Sequence, residues 1–194
     1  MAPSSKDVPA VPLYRDIDNL PGLTWEGKVF GVSNPTVGTG ILTQVSYAAT
    51  LATFWFRNLG AKAMVPLYAL LSQMGVVAGT VIVASVQTLE VDQFTSGTAL
   101  TVKNRNQEVG DAPGVLAYHT ATIPSLSTGN ANQVFAREIF QTVTAANPDE
   151  TFNVWPYPGF CVVRPGAAIG LYVNTTTTSG ANLDFSISWA ELEV

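Results

Sequence analysis

From Val29 onward the chain is a succession of short runs rich in Val, Ile, Thr and aromatic residues, each closed by a turn-forming pair. This punctuation constrains the fold more than any other feature. The turn signals are Asn34-Pro35, Asn58-Leu59-Gly60, Ser96-Gly97, Pro113-Gly114, Pro165-Gly166 and Ser179-Gly180. β-Branched and aromatic side chains suit a pleated, half-buried surface, while Gly, Pro and Asn supply the backbone angles that reverse a chain. Strands are therefore predicted over 41–50, 53–57, 64–71, 81–91, 100–103, 115–123, 134–143, 152–155, 160–164, 169–174 and 183–194. The last is the clearest, because Leu183, Phe185, Ile187 and Trp189 alternate with Asp184, Ser186 and Ser188. Beyond Trp189 the phase shifts: Leu192 and Val194 are apolar while Glu191 and Glu193 are polar, which predicts a β-bulge near Ala190. Residues 131–144 fit a short helix or a strand, since Val134, Phe135, Ile139, Phe140 and Val143 satisfy both periods. Many short strands without a βαβ rhythm predict an all-β fold, a β-sandwich or jelly roll.

A chain of 194 residues fits one domain with an arm. Folding at this size buries roughly 70% of the surface of the unfolded chain, enough for a core without disulfides or metal. Residues 1–28 differ from the rest. Pro3, Pro9, Pro12 and Pro21 interrupt any period, and seven charged residues fall in this stretch, about twice the chain average. Proline fixes φ and removes a donor, so an extended, proline-rich N-terminal arm is predicted over 1–28, ahead of a jelly-roll-like sandwich over 29–194. The arm carries Leu13, Tyr14, Ile17, Leu20, Leu23 and Trp25, more apolar anchors than a disordered tail usually has. The candidate assembly residues are Leu13, Tyr14, Arg15, Ile17, Leu20 and Trp25.

Charge is scarce. Only 12% of residues are Asp, Glu, Lys or Arg, against about 25% in an ordinary soluble domain. Free monomers usually stay soluble through surface charge, so a chain this neutral suits an assembly in which neighbours cover its surface. With a net charge of −5 there is no basic stripe to release phosphate counterions, which argues against nucleic acid as a partner. Lys103 and Arg105 form the densest basic spot, and two charges do not make a patch. The apolar stretch 63–86 is long enough to cross a bilayer, but it holds Pro66, Ser72, Gln73, Gly75 and Gly79. Two buried strands joined by a Gly-bounded turn explain it better, and no membrane partner is expected. Residues 1–12 are polar and proline-rich, without the apolar core of a secretory signal.

The inventory for chemistry is thin. His119 is the one histidine and no Gly-x-Ser-x-Gly elbow accompanies it, so it reads as structural. Cys161, the one cysteine, lies between Phe160 and Val162 and reads as a buried, inert thiol. Glu90 with Asp92, and Asp149 with Glu150, are close acid pairs of the kind most sequences contain; the first could offer oxygens to Ca²⁺, but no dense Asp/Asn loop supports it. Neither Gly38-Thr39-Gly40 nor the 75–79 stretch leads into the Gly-Lys-Ser/Thr ending of a phosphate loop. No catalytic residue, metal ligand or cofactor is expected. Trp25, Trp55, Trp155 and Trp189 are expected to serve core or interface packing, with a sugar-binding platform as the alternative, Trp155 being followed by an exposed Pro156-Tyr157-Pro158 loop.

Three pieces resemble tailed-bacteriophage virion proteins built around a jelly roll. They are Phe54-Trp55-Phe56-Arg57-Asn58, the run from Asp92 to Thr101 followed by Asn104 and Asn106, and Arg164-Pro165-Gly166 leading through Leu171-Tyr172-Val173 to Trp189-Ala190-Glu191. The resemblance implies a capsid decoration or cement protein, often trimeric, with copies of itself and a major capsid or other shell protein as partners. It implies a place on the virion surface, after synthesis in the host cytoplasm without a signal peptide. It carries over no catalytic or ligand residues and does not cover the arm. A carbohydrate-binding β-sandwich module of a fibre or adhesin is the alternative.

Overall fold

The computed structural model describes residues 20–36, 38–74, 79–88, 94–109, 112–124, 131–141, 151–155, 157–175 and 182–193. Its elements are a short helix α1 (Leu20–Trp25) and twelve strands: β1 (Val29–Ser33), β2 (Ile41–Leu42), β3 (Leu51–Asn58), β4 (Ala63–Met74), β5 (Gly79–Thr88), β6 (Ser96–Leu100), β7 (Lys103–Asn104), β8 (Val115–Thr122), β9 (Ala131–Gln141), β10 (Thr151–Asn153), β11 (Ala168–Thr175) and β12 (Asn182–Leu192). One sheet runs β10-β4-β12-β1-β7, with β2 also on β12; the other runs β6-β8-β3-β11-β5-β9. The pairing between these strands is antiparallel throughout. The fold is a β-sandwich, as the turn punctuation predicts.

Four of the pairs nest inside one another: β1 with β12, β3 with β11, β4 with β10, and β5 with β9. Strands β6 to β8 interrupt this order, β6 and β8 extending the second sheet and β7 ending the first. Between the sheets lies an apolar core fed by both, including Phe30, Phe54, Phe56, Leu71, Ile169, Leu171, Phe185 and Trp189. Its aromatic rings meet across the gap, Phe54 with Phe185 at 4.7 Å and Phe56 edge-on to Trp189 at 5.5 Å. Such tilted contacts suit the ring quadrupole. The opposite face of the second sheet is also covered. Trp55, Val86 and Tyr172 are buried there, with Phe94 and Tyr118 packed against them. The Trp55 indole lies across its ladder partner Gly170, where any Cβ would stand 2.5 Å from the ring, so only glycine fits.

The structure revises several expectations. A bulge does fall beside Ala190, between Ser188 and Trp189 in the β12–β4 ladder, but the extra residue is not in β12. The ladder jumps from Ser188 opposite Tyr68 to Trp189 opposite Pro66, so the unpaired residue is Leu67 of β4. Strand β12 keeps its alternation to the end, and what changes is the cover on its outer face. There α1 places Leu23 over Val29, Val65, Leu67, Ala190 and Leu192, turning the outer positions of β12 from wet to buried. Pro66, which lacks an N–H, sits at this bulge, where a ladder bond is not needed.

Helix α1 itself lies inside the segment predicted to be extended. Pro21 stands early in its first turn, where a missing N–H costs nothing, and Gly27 closes the helix at φ 70°. The two strands expected from 63–86 are present, but β4 and β5 belong to different sheets and do not form a hairpin. Only residues 41–42 of the run 41–50 are strand, and 160–164 contributes a single bridge at Val163. The ambiguous run near 131–144 is strand β9. Among the described residues no helix is long and apolar enough to cross a membrane.

Candidate functional site

The segment between β2 and β3 is the best candidate for a working surface. It enters the second sheet where β3 and β11 part. Their ladder ends at Phe54 opposite Leu171, and beyond it the buried Thr53 hydroxyl takes the place of backbone groups, accepting from Val173 N at 3.0 Å and lying 3.2 Å from the Val173 carbonyl. Gln44 fills the opening. Its N–H donates to Val173 O at 3.2 Å, and Thr175 N donates to its carbonyl at 2.9 Å. The Gln44 side chain then spans the loop, donating to Leu51 O and accepting from Ala48 N. From below, Tyr172 donates its hydroxyl to Ala49 O at 3.1 Å, and its ring meets that of Tyr47 at 5.4 Å. Burial pushes the Tyr172 phenol well above its ordinary range, with the neighbouring Tyr47 adding to the effect, so this hydroxyl stays a donor.

On that fixed base the segment turns large apolar side chains outward. Leu42 is 63% exposed and Tyr47 is 54% exposed, with Val45 and Leu51 close behind. Four such residues in ten positions of a pinned loop lack the polar surface a free loop normally presents. The sequence reading gave 41–50 to a strand and missed this surface. The available signal was the small-residue stretch Ala48-Ala49-Thr50, which fits a turn better than a sheet interior.

The predicted assembly residues are divided. Leu13, Tyr14, Arg15 and Ile17 lie outside the described residues. Leu20 is half-buried and packs against the cluster around Leu23 within the same chain. Trp25 is 76% exposed, and its carbonyl is held by Asn106 Nδ2 at 2.8 Å. Three of the four tryptophans, Trp55, Trp155 and Trp189, are buried. The expected exposed loop after Trp155 presents Tyr157 instead, which is 61% exposed. A sugar platform built on Trp55 or Trp155 has no accessible ring.

Of the groups weighed for chemistry, His119 and Cys161 lie among the described residues. His119, on β8 opposite Phe54, is half-buried and touches Thr120 Oγ1 at 3.1 Å. Burial lowers its pKa from the ordinary histidine value. Cys161 packs against the core, and burial pushes its thiol up to about 12, which leaves almost no thiolate near neutrality. Glu90, Asp92, Asp149 and Glu150 lie outside the described residues. No group of three His, Cys, Asp or Glu side chains able to hold a metal ion occurs among the described residues.

One acid is deeply placed. Glu191, on β12, accepts from Gly114 N at 2.8 Å, Val115 N at 3.2 Å and Trp189 Nε1 at 3.1 Å. It lines a cavity of about 340 Å³ with Lys28, Lys62 and Gly60. All three donors belong to the framework, so this carboxylate fastens the start of β8 to the first sheet. No protein-family model, curated protein or solved structure matches the chain.

Proposed function

We propose that this chain is a structural subunit of a tailed-bacteriophage virion, a capsid decoration or cement protein that associates with copies of itself and docks on the shell. The nested pairs β1–β12, β3–β11, β4–β10 and β5–β9 support a jelly roll, a double-sheet form frequent in capsid domains. The low charge of the chain supports a surface that works while covered. The observation that carries the reading is the pinned 41–51 segment with Leu42, Val45, Tyr47 and Leu51 exposed.

A preformed apolar knob loses little conformational entropy on docking, and a stable contact needs roughly 1,200–2,000 Å² of total buried surface. Around such a knob a few aromatic or aliphatic anchors supply most of the binding energy. Each subunit of a symmetric oligomer would present one knob, and several arms or knobs acting together would turn weak single contacts on the shell into firm attachment. The trimer and the shell partner belong to this proposal.

The test is the oligomeric state of the purified chain by light scattering, in the wild type and in Leu42→Asp and Tyr47→Asp. The expected result is an oligomer, a trimer on this reading, that falls to monomers in either variant while circular dichroism stays unchanged. A wild-type monomer at micromolar concentration would sink the self-association reading. Imaging purified particles with the protein labelled then tests the virion location.

A further inference from the structure

We propose that the groove holding Lys103 and Arg105 is an oxyanion site that takes carboxylates from an acidic polypeptide. The groove, about 290 Å³, lies on the outer face of the first sheet and is lined by Gly31, Ser33, Asn34, Thr101, Lys103 and Arg105. Arg105 is exposed, but its guanidinium is anchored. Its Nε donates to Ser188 Oγ at 3.1 Å and its Nη2 to the same oxygen at 2.8 Å, while Ser186 Oγ lies 3.3 Å from Nη2. The backbone behind it is equally fixed: Arg105 N donates to Val29 O at 2.8 Å, and Asn104 Nδ2 to Gly27 O at 2.7 Å. The guanidinium lies over Gly31, where a Cβ would fall 2.7 Å from Cζ.

Among the described residues no anion faces this seat. The partners of Arg105 are neutral hydroxyls, and Nη1 makes no hydrogen bond among the described residues. The ion pairs among the described residues are Lys28 with Glu26 and Lys62 with Glu193, so neither Lys103 nor Arg105 faces a carboxylate there. In a chain with 14 acids and 9 bases, two cations lining one groove with no acid paired to either among the described residues stand out against the overall balance. A rotamer fixed in advance also removes much of the entropy cost of binding.

The choice of ligand follows from geometry. The groove is smaller than a typical drug-sized site and has room for one or two side chains. Among the described residues β7 ends its sheet, which leaves an edge that an extended segment can run alongside. Lys103 and Arg105 are two residues apart, and carboxylates two residues apart on an extended strand are spaced by roughly 6.6 Å on one face. Nucleic acid fits poorly, because two cations cannot track a phosphate backbone.

The experiment titrates ¹⁵N-labelled full chain with a capped Ala-Asp-Ala-Asp-Ala peptide, its Asn counterpart and inorganic phosphate, and reads NMR shifts. The acidic peptide is expected to perturb Gly31, Thr101 and Arg105 Nε, with the Asn peptide silent. Affinity should drop about tenfold in Arg105→Gln, the loss of one charge-assisted hydrogen bond. Gly31→Ala should cost as much, since it keeps both cations but lifts the guanidinium from its seat. Lys103→Gln, on an exposed side chain, should also weaken binding and serves if Gly31→Ala fails to fold. Absence of shifts with the acidic peptide, response to phosphate alone, or undiminished binding in Arg105→Gln and Lys103→Gln would each overturn the proposal. The oligomer test is separate, so either reading can fail without the other.

Discussion

At the scale of single residues, stability here rests on a few polar groups that answer several donors each. Glu191 satisfies two backbone N–H groups and an indole from one carboxylate. Glu191→Ala would strand these donors, each worth about 1–3 kcal/mol if left unmet, with water in the adjoining cavity recovering part. A net loss of about 2–4 kcal/mol in urea denaturation is expected, and a change below about 0.5 kcal/mol would mean the clasp is ornamental. Glu191→Gln should lose less, because it keeps one acceptor oxygen but turns an NH₂ towards donors.

His119 gives the pH dependence. Burial holds its folded pKa below the unfolded value of about 6.5, so the fold favours the neutral ring. As pH falls below about 6.5 the unfolded chain takes up the proton first, and stability declines until the folded pKa is passed. The contribution is complete above the unfolded value. Unfolding midpoints measured between neutrality and mild acid should therefore fall with pH, and His119→Gln should flatten that slope. A wild-type slope that survives the substitution would assign it to other groups.

Among the elements, α1 is the one that changes an expectation about the arm. Leu23 is 3% exposed and covers the cluster formed by Val29, Val65, Leu67, Ala190 and Leu192. Leu23→Ala should cost about 2–5 kcal/mol, as buried Leu truncations do. By the same reasoning, removing residues 1–28 should lower the denaturation midpoint further than removing 1–19, because it uncovers this face. Equal midpoints for the two truncations would show that the helix adds nothing. The element was hard to see in the sequence because Pro21 reads as a breaker, and only its position in the first turn makes it compatible with a helix. β12 was easy, since four apolar residues alternate with three polar ones. Its last turn of pattern was misread because sequence shows polarity, not what covers it: Ala190 and Leu192 face outward under α1, and Glu191 faces inward with donors waiting. β2 and β7, two residues each, are too short to carry a period.

For the whole molecule, class was legible and wiring was not. Turn pairs and β-rich runs fix a sandwich, yet they do not say that β4 and β5, neighbours in sequence, lie in opposite sheets. Nor could spacing reveal the Arg105 seat, whose serines come from a strand about eighty residues away. Such a site exists only once register is set, and register is a property of pairs of strands. The 41–51 knob was hidden for a related reason. Its apolar residues look like a strand until Gln44 and Thr53 are seen to wedge the sheet open.

The position of β12 has a bearing on how the molecule is made. This strand lies between β4 on one side and β1 with β2 on the other, so it is the keystone of its sheet and the last of the twelve strands to leave the ribosome. Until it is in place, β1 and β4 have no common neighbour and their facing edges are unpaired. Open strand edges invite pairing between copies, and insertion of this strongly alternating strand covers both at once.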